Sequence, residues 1–121
     1  MTLTIRDAQL ASLQHAVDER YCRELVPLLR TRCGGLLTKH SDEDIVARAS
    51  EALGRVARYG LEDARDILAF IVLTFAVGPG FDTHPSFAAI LADPRIPGRR
   101  KLPALFERLD ASLWDAAAAR G

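Results

Sequence analysis

Asp82 and His84 stand two residues apart in the segment Gly78-Pro79-Gly80-Phe81-Asp82-Thr83-His84-Pro85. A carboxylate near an imidazole can orient a general base, which is the sparest outline of a small hydrolase. The competing reading is structural: Asp82 caps a turn or helix, and His84 is a surface residue before a proline. No Ser, Cys or Lys nucleophile is tied to the pair by sequence, and this favours the structural reading. Gly78-Pro79-Gly80 could suggest a phosphate loop. It follows a helical pattern rather than a strand and lacks the Lys-Ser/Thr of a Walker motif, so a turn is the better account. His15, His40 and His84 are isolated from one another, and no pair has a ligand spacing. No metal and no cofactor are expected. Cys22 and Cys33 read as inert free thiols.

Arg95, Arg99, Arg100 and Lys101 form the one dense basic run. It could meet an acidic partner surface or a nucleic-acid backbone. The alternative is a solvated helix start, although cations are unfavourable at a helix N-terminus. Over the whole chain 16 basic and 16 acidic residues cancel, which argues against nucleic acid as the main partner.

These residues must be positioned by helices. Leu10, Leu13, Val17, Tyr21, Leu25 and Leu28 recur at spacings of three and four, after a possible cap at Thr4 with Asp7. Pro27 predicts a kink or a new turn, and Cys33-Gly34-Gly35 a stop. Ser41 opens a second helix with Asp42, Glu43 and Asp44 in its first turn and Arg55 and Arg58 in its last, ending on Gly60. Its apolar face is Ile45, Val46, Ala49, Leu53, Val56 and Ala57, with Gly54 placed to let another helix approach.

Residues 59–82 form the central stretch. An acidic start (Glu62, Asp63, Asp66) leads into the apolar run 67–77 and closes on Gly78-Pro79-Gly80. A helix apolar on every side must be covered by other elements or by lipid. Eleven residues fall well short of the roughly 20 that a bilayer span needs, so a buried central helix at about 61–77 is expected, and no membrane partner. A short helix over about 85–92, capped by Thr83 or Asp82, carries Phe87, Ile90 and Leu91. A last helix carries Leu102, Leu105, Phe106, Leu109, Leu113 and Ala116 on one stripe, with Pro103 in its first turn and Trp114 beside the stripe.

The sum is an all-α chain of 121 residues, expected as one domain (1–121), a compact bundle of about five helices around the central one. The N-terminus lacks the charged-then-apolar form of a secretory signal, and two cysteines suit a reducing compartment, so a cytoplasmic location is expected.

The segment 57–94, ARYGLEDARDILAFIVLTFAVGPGFDTHPSFAAILADP, resembles small, all-helical bacterial proteins encoded in type VI secretion effector clusters. The matching parts are Tyr59-Gly60, the acidic helix start, the long apolar helix, Gly78 with Phe81-Asp82, and Ile90-Leu91 before Asp93-Pro94. They are turn and core motifs and carry no catalytic residues. The resemblance implies a non-enzymatic accessory protein that binds an effector or spike component as chaperone or adaptor, or an immunity protein that neutralises a cognate toxin. Phe81, Asp82, His84, Arg95, Arg99, Arg100, Lys101 and Trp114 are the residues expected to meet a protein partner, with Tyr21 as a further edge aromatic.

Overall fold

The computed structural model describes the backbone of residues 2–120 and the side chains of residues 18–119. Among the described residues there are six α-helices, one 3₁₀ turn and no strand. The helices are α1 (Thr2–Leu37), α2 (Asp42–Arg58), α3 (Ala64–Ala76), α4 (Pro85–Leu91), α5 (Gly98–Arg108) and α6 (Ala111–Arg120), with the 3₁₀ turn at Phe81–Thr83. Contacts divide the chain into two units, Met1–Ser50 and Glu51–Gly121, so the division falls within α2. No helix among the described residues is long and apolar enough to cross a membrane.

The first unit holds α1 and the start of α2. Thr4 lies inside α1 rather than at its cap, and the side chains of Thr4, Asp7, Leu10, Leu13, His15 and Val17 lie outside the described residues. The expected irregularity at Pro27 is absent from the backbone angles and appears instead at Cys33 (φ −130°, ψ 30°). The helix then resumes through both glycines to Leu37. The break at Cys33 falls on the expected Cys33-Gly34-Gly35 stop, although both glycines belong to the helical stretch that follows. The buried face of α1 is Cys22, Leu25, Val26 and Leu29, whereas Leu28 is exposed.

Two arginines, neither singled out by sequence, tie α1 to α2. Arg23 donates from Nη1 and Nη2 to both Glu43 carboxylate oxygens, at 2.9 and 3.1 Å, and from Nη2 to Glu19 at 3.0 Å. Arg30 donates to Asp42 at 2.9 Å, to the His40 carbonyl at 2.8 Å and to the Leu37 carbonyl at 3.4 Å, the last a carbonyl at the end of α1 with no acceptor role inside the helix. The expected cap of α2 is present: Ser41 Oγ accepts from the Asp44 N–H at 3.1 Å, and Asp44 reaches back to the Ser41 N–H at 3.4 Å.

The second unit begins in α2. Gly60, at φ +73°, ends that helix as expected, with the Gly60 N–H on the Ala57 carbonyl and the Leu61 N–H on the Val56 carbonyl. Leu61 and Val56, the residues such a motif brings together, are both buried. Gly54 is exposed and an added Cβ would meet nothing there. The glycine that does permit close approach is Gly98, where a Cβ would collide with the Gly60 carbonyl. The start of α5 is thus seated on the α2–α3 turn.

Asp63 caps α3 by accepting from the Arg65 N–H at 2.8 Å, which starts the helix at Ala64, three residues after the expected 61. Phe70, Ile71, Leu73 and Thr74 form its buried face, and most remaining positions are half-buried. α3 and α4 pack on α5, and α4 and α6 pack on the 3₁₀ turn.

The expected last helix is two helices. Leu109 is extended (φ −102°, ψ 129°), and Asp110 accepts from the Leu113 N–H at 3.1 Å and from Ser112 Oγ at 2.6 Å. This carboxylate opens α6 and resets the helical register. Ala117 rather than Ala116 is then buried, and within α5 the buried residues are Lys101, Leu102, Ala104 and Leu105, with Phe106 off that face and 60 % exposed.

Candidate functional site

Asp82 is 1 % exposed in the 3₁₀ turn, and both its oxygens are taken. Arg55 Nη1 donates to Oδ1 at 2.9 Å and Tyr59 Oη donates to Oδ2 at 2.7 Å. The donors lie one turn apart at the end of α2, so one helix face presents both to the turn after α3. Arg55 also lies 5.9 Å from the centroid of the Phe70 ring, a cation–π contact that helps to compensate a buried guanidinium. Its Nε and Nη2 are buried without hydrogen bonds, with Glu51 only at 3.9 Å. The Tyr59 phenol is pushed up to about 12, first by burial and then by the Asp82 carboxylate it donates to.

His84 serves a different end. Its Nδ1 accepts from the Ser86 N–H at 3.3 Å, so it caps α4, a role expected of Thr83 or Asp82, with Pro85 in the first turn as expected. Its ring packs edge-on against Phe87. The carboxylate thus faces α2 and the imidazole faces α4. The Asp82–His84 outline of a general base does not assemble in these contacts: each group holds a different helix to the turn.

Three of the eight residues expected to meet a partner lie inside: Phe81, Asp82 and Lys101 are buried. Phe81 joins an aromatic row in which each ring touches the next, from Tyr59 through Phe70, Phe81, Phe87 and Trp114 to Phe106. Lys101 donates to the Tyr59 carbonyl at 2.7 Å, placing a cation at the C-terminal end of α2, where the helix dipole favours it. Tyr21 is half-buried.

The basic run does not form one patch. Arg95 is exposed but held by Asp93, which accepts from its backbone N–H at 2.9 Å, its Nε at 3.1 Å and its Nη2 at 3.2 Å. Arg99 lines an open cleft of about 430 Å³ with Glu62 and Asp63 beside the α2–α3 turn. Arg100 lines a second cleft, of about 160 Å³, with Arg95 and Arg108. Among the described residues no cluster of three His, Cys, Asp or Glu side chains could hold a metal ion.

The surface feature that sequence reasoning missed is Phe106. It is the most exposed large apolar side chain among the described residues, and it lies nearly parallel to Trp114, with centroids 5.1 Å and planes 16° apart. Trp114, half-buried, is also braced by Phe87 at 4.7 Å, edge to face. Little in the sequence points to it, because the buried face of α5 is set by Lys101 and Ala104 together with Leu102 and Leu105, and Phe106 falls outside it.

Against known proteins, no family model matches the chain, and neither a curated protein nor a solved structure matches it. What fold and site define is a class: a helical chain with a part-buried Arg55–Asp82–Tyr59 cluster and an aromatic pair at its surface.

Proposed function

We propose that this chain is a non-enzymatic accessory protein that binds a protein partner, and that the Phe106–Trp114 pair is the centre of the contact. The supporting observation is the exposure of Phe106 above a braced Trp114. Scattered single apolar residues are ordinary on a surface. A large aromatic held by a second aromatic is different, because its geometry is set before binding and little side-chain entropy is left to lose. Aromatic side chains of this kind dominate interface energetics.

The resemblance of residues 57–94 to proteins of type VI secretion effector clusters supplies the context: the partner is a secreted effector or spike component, and the role is chaperone or adaptor in the cytoplasm. The test is co-expression with products of neighbouring genes, followed by capture on the purified chain. Capture of one such product, weakened at least tenfold by Phe106→Ala with folding intact, supports the reading; tenfold corresponds to about 1.4 kcal/mol. Failure to bind any neighbour's product, or binding indifferent to Phe106→Ala and Trp114→Ala, overturns it. Rescue of cells poisoned by the neighbouring toxin would transfer the assignment to an immunity protein.

A further inference from the structure

We infer that the cleft between the 94–97 turn and α5 binds a single oxyanion, a carboxylate or a phosphate. The cleft has about 160 Å³ and is lined by Arg95, Ile96 and Pro97 from the turn, and by Arg100, Ala104, Glu107 and Arg108 from α5. On α5 these residues fall at one position and then four, seven and eight residues on, which puts them on one helix face. Ala104 is buried and small, so it leaves room between the longer side chains.

The arginines are arranged for a ligand more than for stability. Three hydrogen bonds to Asp93 hold Arg95, yet none uses its Nη1. Arg100 and Arg108 form no salt bridge among the described residues. Arg100 also sits in the first turn of α5, the positive end of the helix dipole, where a cation costs stability. An anion in the cleft would reverse that cost. Three arginines line the cleft with one acid, Glu107, and Asp93 is bound to Arg95, which leaves one positive charge in surplus. The cleft is open to solvent on one side and has room for a carboxylate or a phosphate group.

The site does not depend on the Phe106–Trp114 contact. The carboxylate could belong to an acidic side chain of a protein, and the phosphate could be free. The test follows the arginine Nε–Hε resonances of the full chain by NMR. Sodium phosphate and sodium acetate are titrated separately, with sodium chloride holding the ionic strength constant. Saturable shifts confined to Arg95, Arg100 and Arg108, with a midpoint on the order of millimolar, are expected. Tighter binding of phosphate assigns the site to phosphate; equal or tighter binding of acetate assigns it to a carboxylate.

Arg100→Gln should weaken binding about fivefold, and Glu107→Gln should tighten it about threefold, the scale of exposed ion pairs. Both residues are exposed, so neither change disturbs the core; should Arg100→Gln not fold, Arg108→Gln tests the same point. Shifts that fail to saturate, or that Arg100→Gln and Glu107→Gln leave unchanged, overturn the assignment.

Discussion

Replacing Asp82 by Asn removes one charge from the interior and leaves the volume nearly unchanged. The amide oxygen can still accept from Arg55, and the amide nitrogen can donate to the Tyr59 oxygen once that hydroxyl rotates. Hydrogen bonding is then largely kept, and the loss is electrostatic. Arg55 would be left with two buried, unbonded nitrogens and Glu51 at 3.9 Å as its nearest acid. Breaking a buried pair by removing one partner costs about 3–5 kcal/mol. The low end, about 3 kcal/mol, is expected, because the Arg55 side chain keeps 14 % exposure and the Phe70 ring face nearby. Asp82→Ala also strands the Tyr59 hydroxyl and should cost about 1 kcal/mol more. Urea unfolding followed by fluorescence of Trp114, the sole tryptophan, reports on the unit that holds the pair. The double variant Arg55→Met with Asp82→Leu should cost less than the sum of its singles by about 2 kcal/mol, since neither charge is then stranded. A loss below about 1 kcal/mol for Asp82→Asn, or strict additivity in the double variant, would refute the reasoning.

The Tyr59 phenol titrates at about 12 instead of the ordinary 10, so its contribution to stability is complete below pH 10 and is lost as pH rises from 10 to 12. Absorbance at 295 nm, with Tyr59→Phe to assign the step, should show this, and Asp82→Asn should lower the midpoint only in part because burial is the larger cause. Gly98→Ala should cost about 3 kcal/mol in the same urea assay, because the new methyl meets the Gly60 carbonyl and backbone cannot swing aside; Gly60→Ala, strained by φ +73°, should cost about 1 kcal/mol. Cys22 is fully buried and its thiol is pushed up by that burial, so a thiol reagent should label half-buried Cys33 first and Cys22 only on unfolding. Equal labelling rates, with Cys33→Ser as the control, would contradict this.

Signals confined to a few neighbouring residues were legible. Ser41 with the acidic turn after it, Gly60 at the end of α2 and Pro85 at the start of α4 each act through backbone angles or groups within four residues, and each does in the structure what local chemistry requires. The all-helical class followed from such signals. Partners brought together by folding were not legible. Asp82 and Arg55 are 27 residues apart and Lys101 and Tyr59 are 42 apart, and nothing in the local pattern of either member names the other. The same limit explains why an Asp and a His in one loop resembled catalytic chemistry. Residue type shows what a group can do; which way it faces depends on the elements packed against the loop. Here α2 claims the carboxylate and α4 the imidazole. Lys101 shows the limit from the other side: it looked like one of four equivalent basic residues, and packing buried it while leaving Arg99 and Arg100 exposed. The division of α5 from α6 is a different matter, because its signal was local. Asp110 stands three residues before Leu113 as a helix-starting acid, inside an apolar period that runs on past it. Where a cap and a period disagree, the cap deserves precedence. It fixes backbone groups that must be satisfied, whereas a spacing of three or four can continue by chance across a two-residue break, as it does here over Leu109 and Asp110.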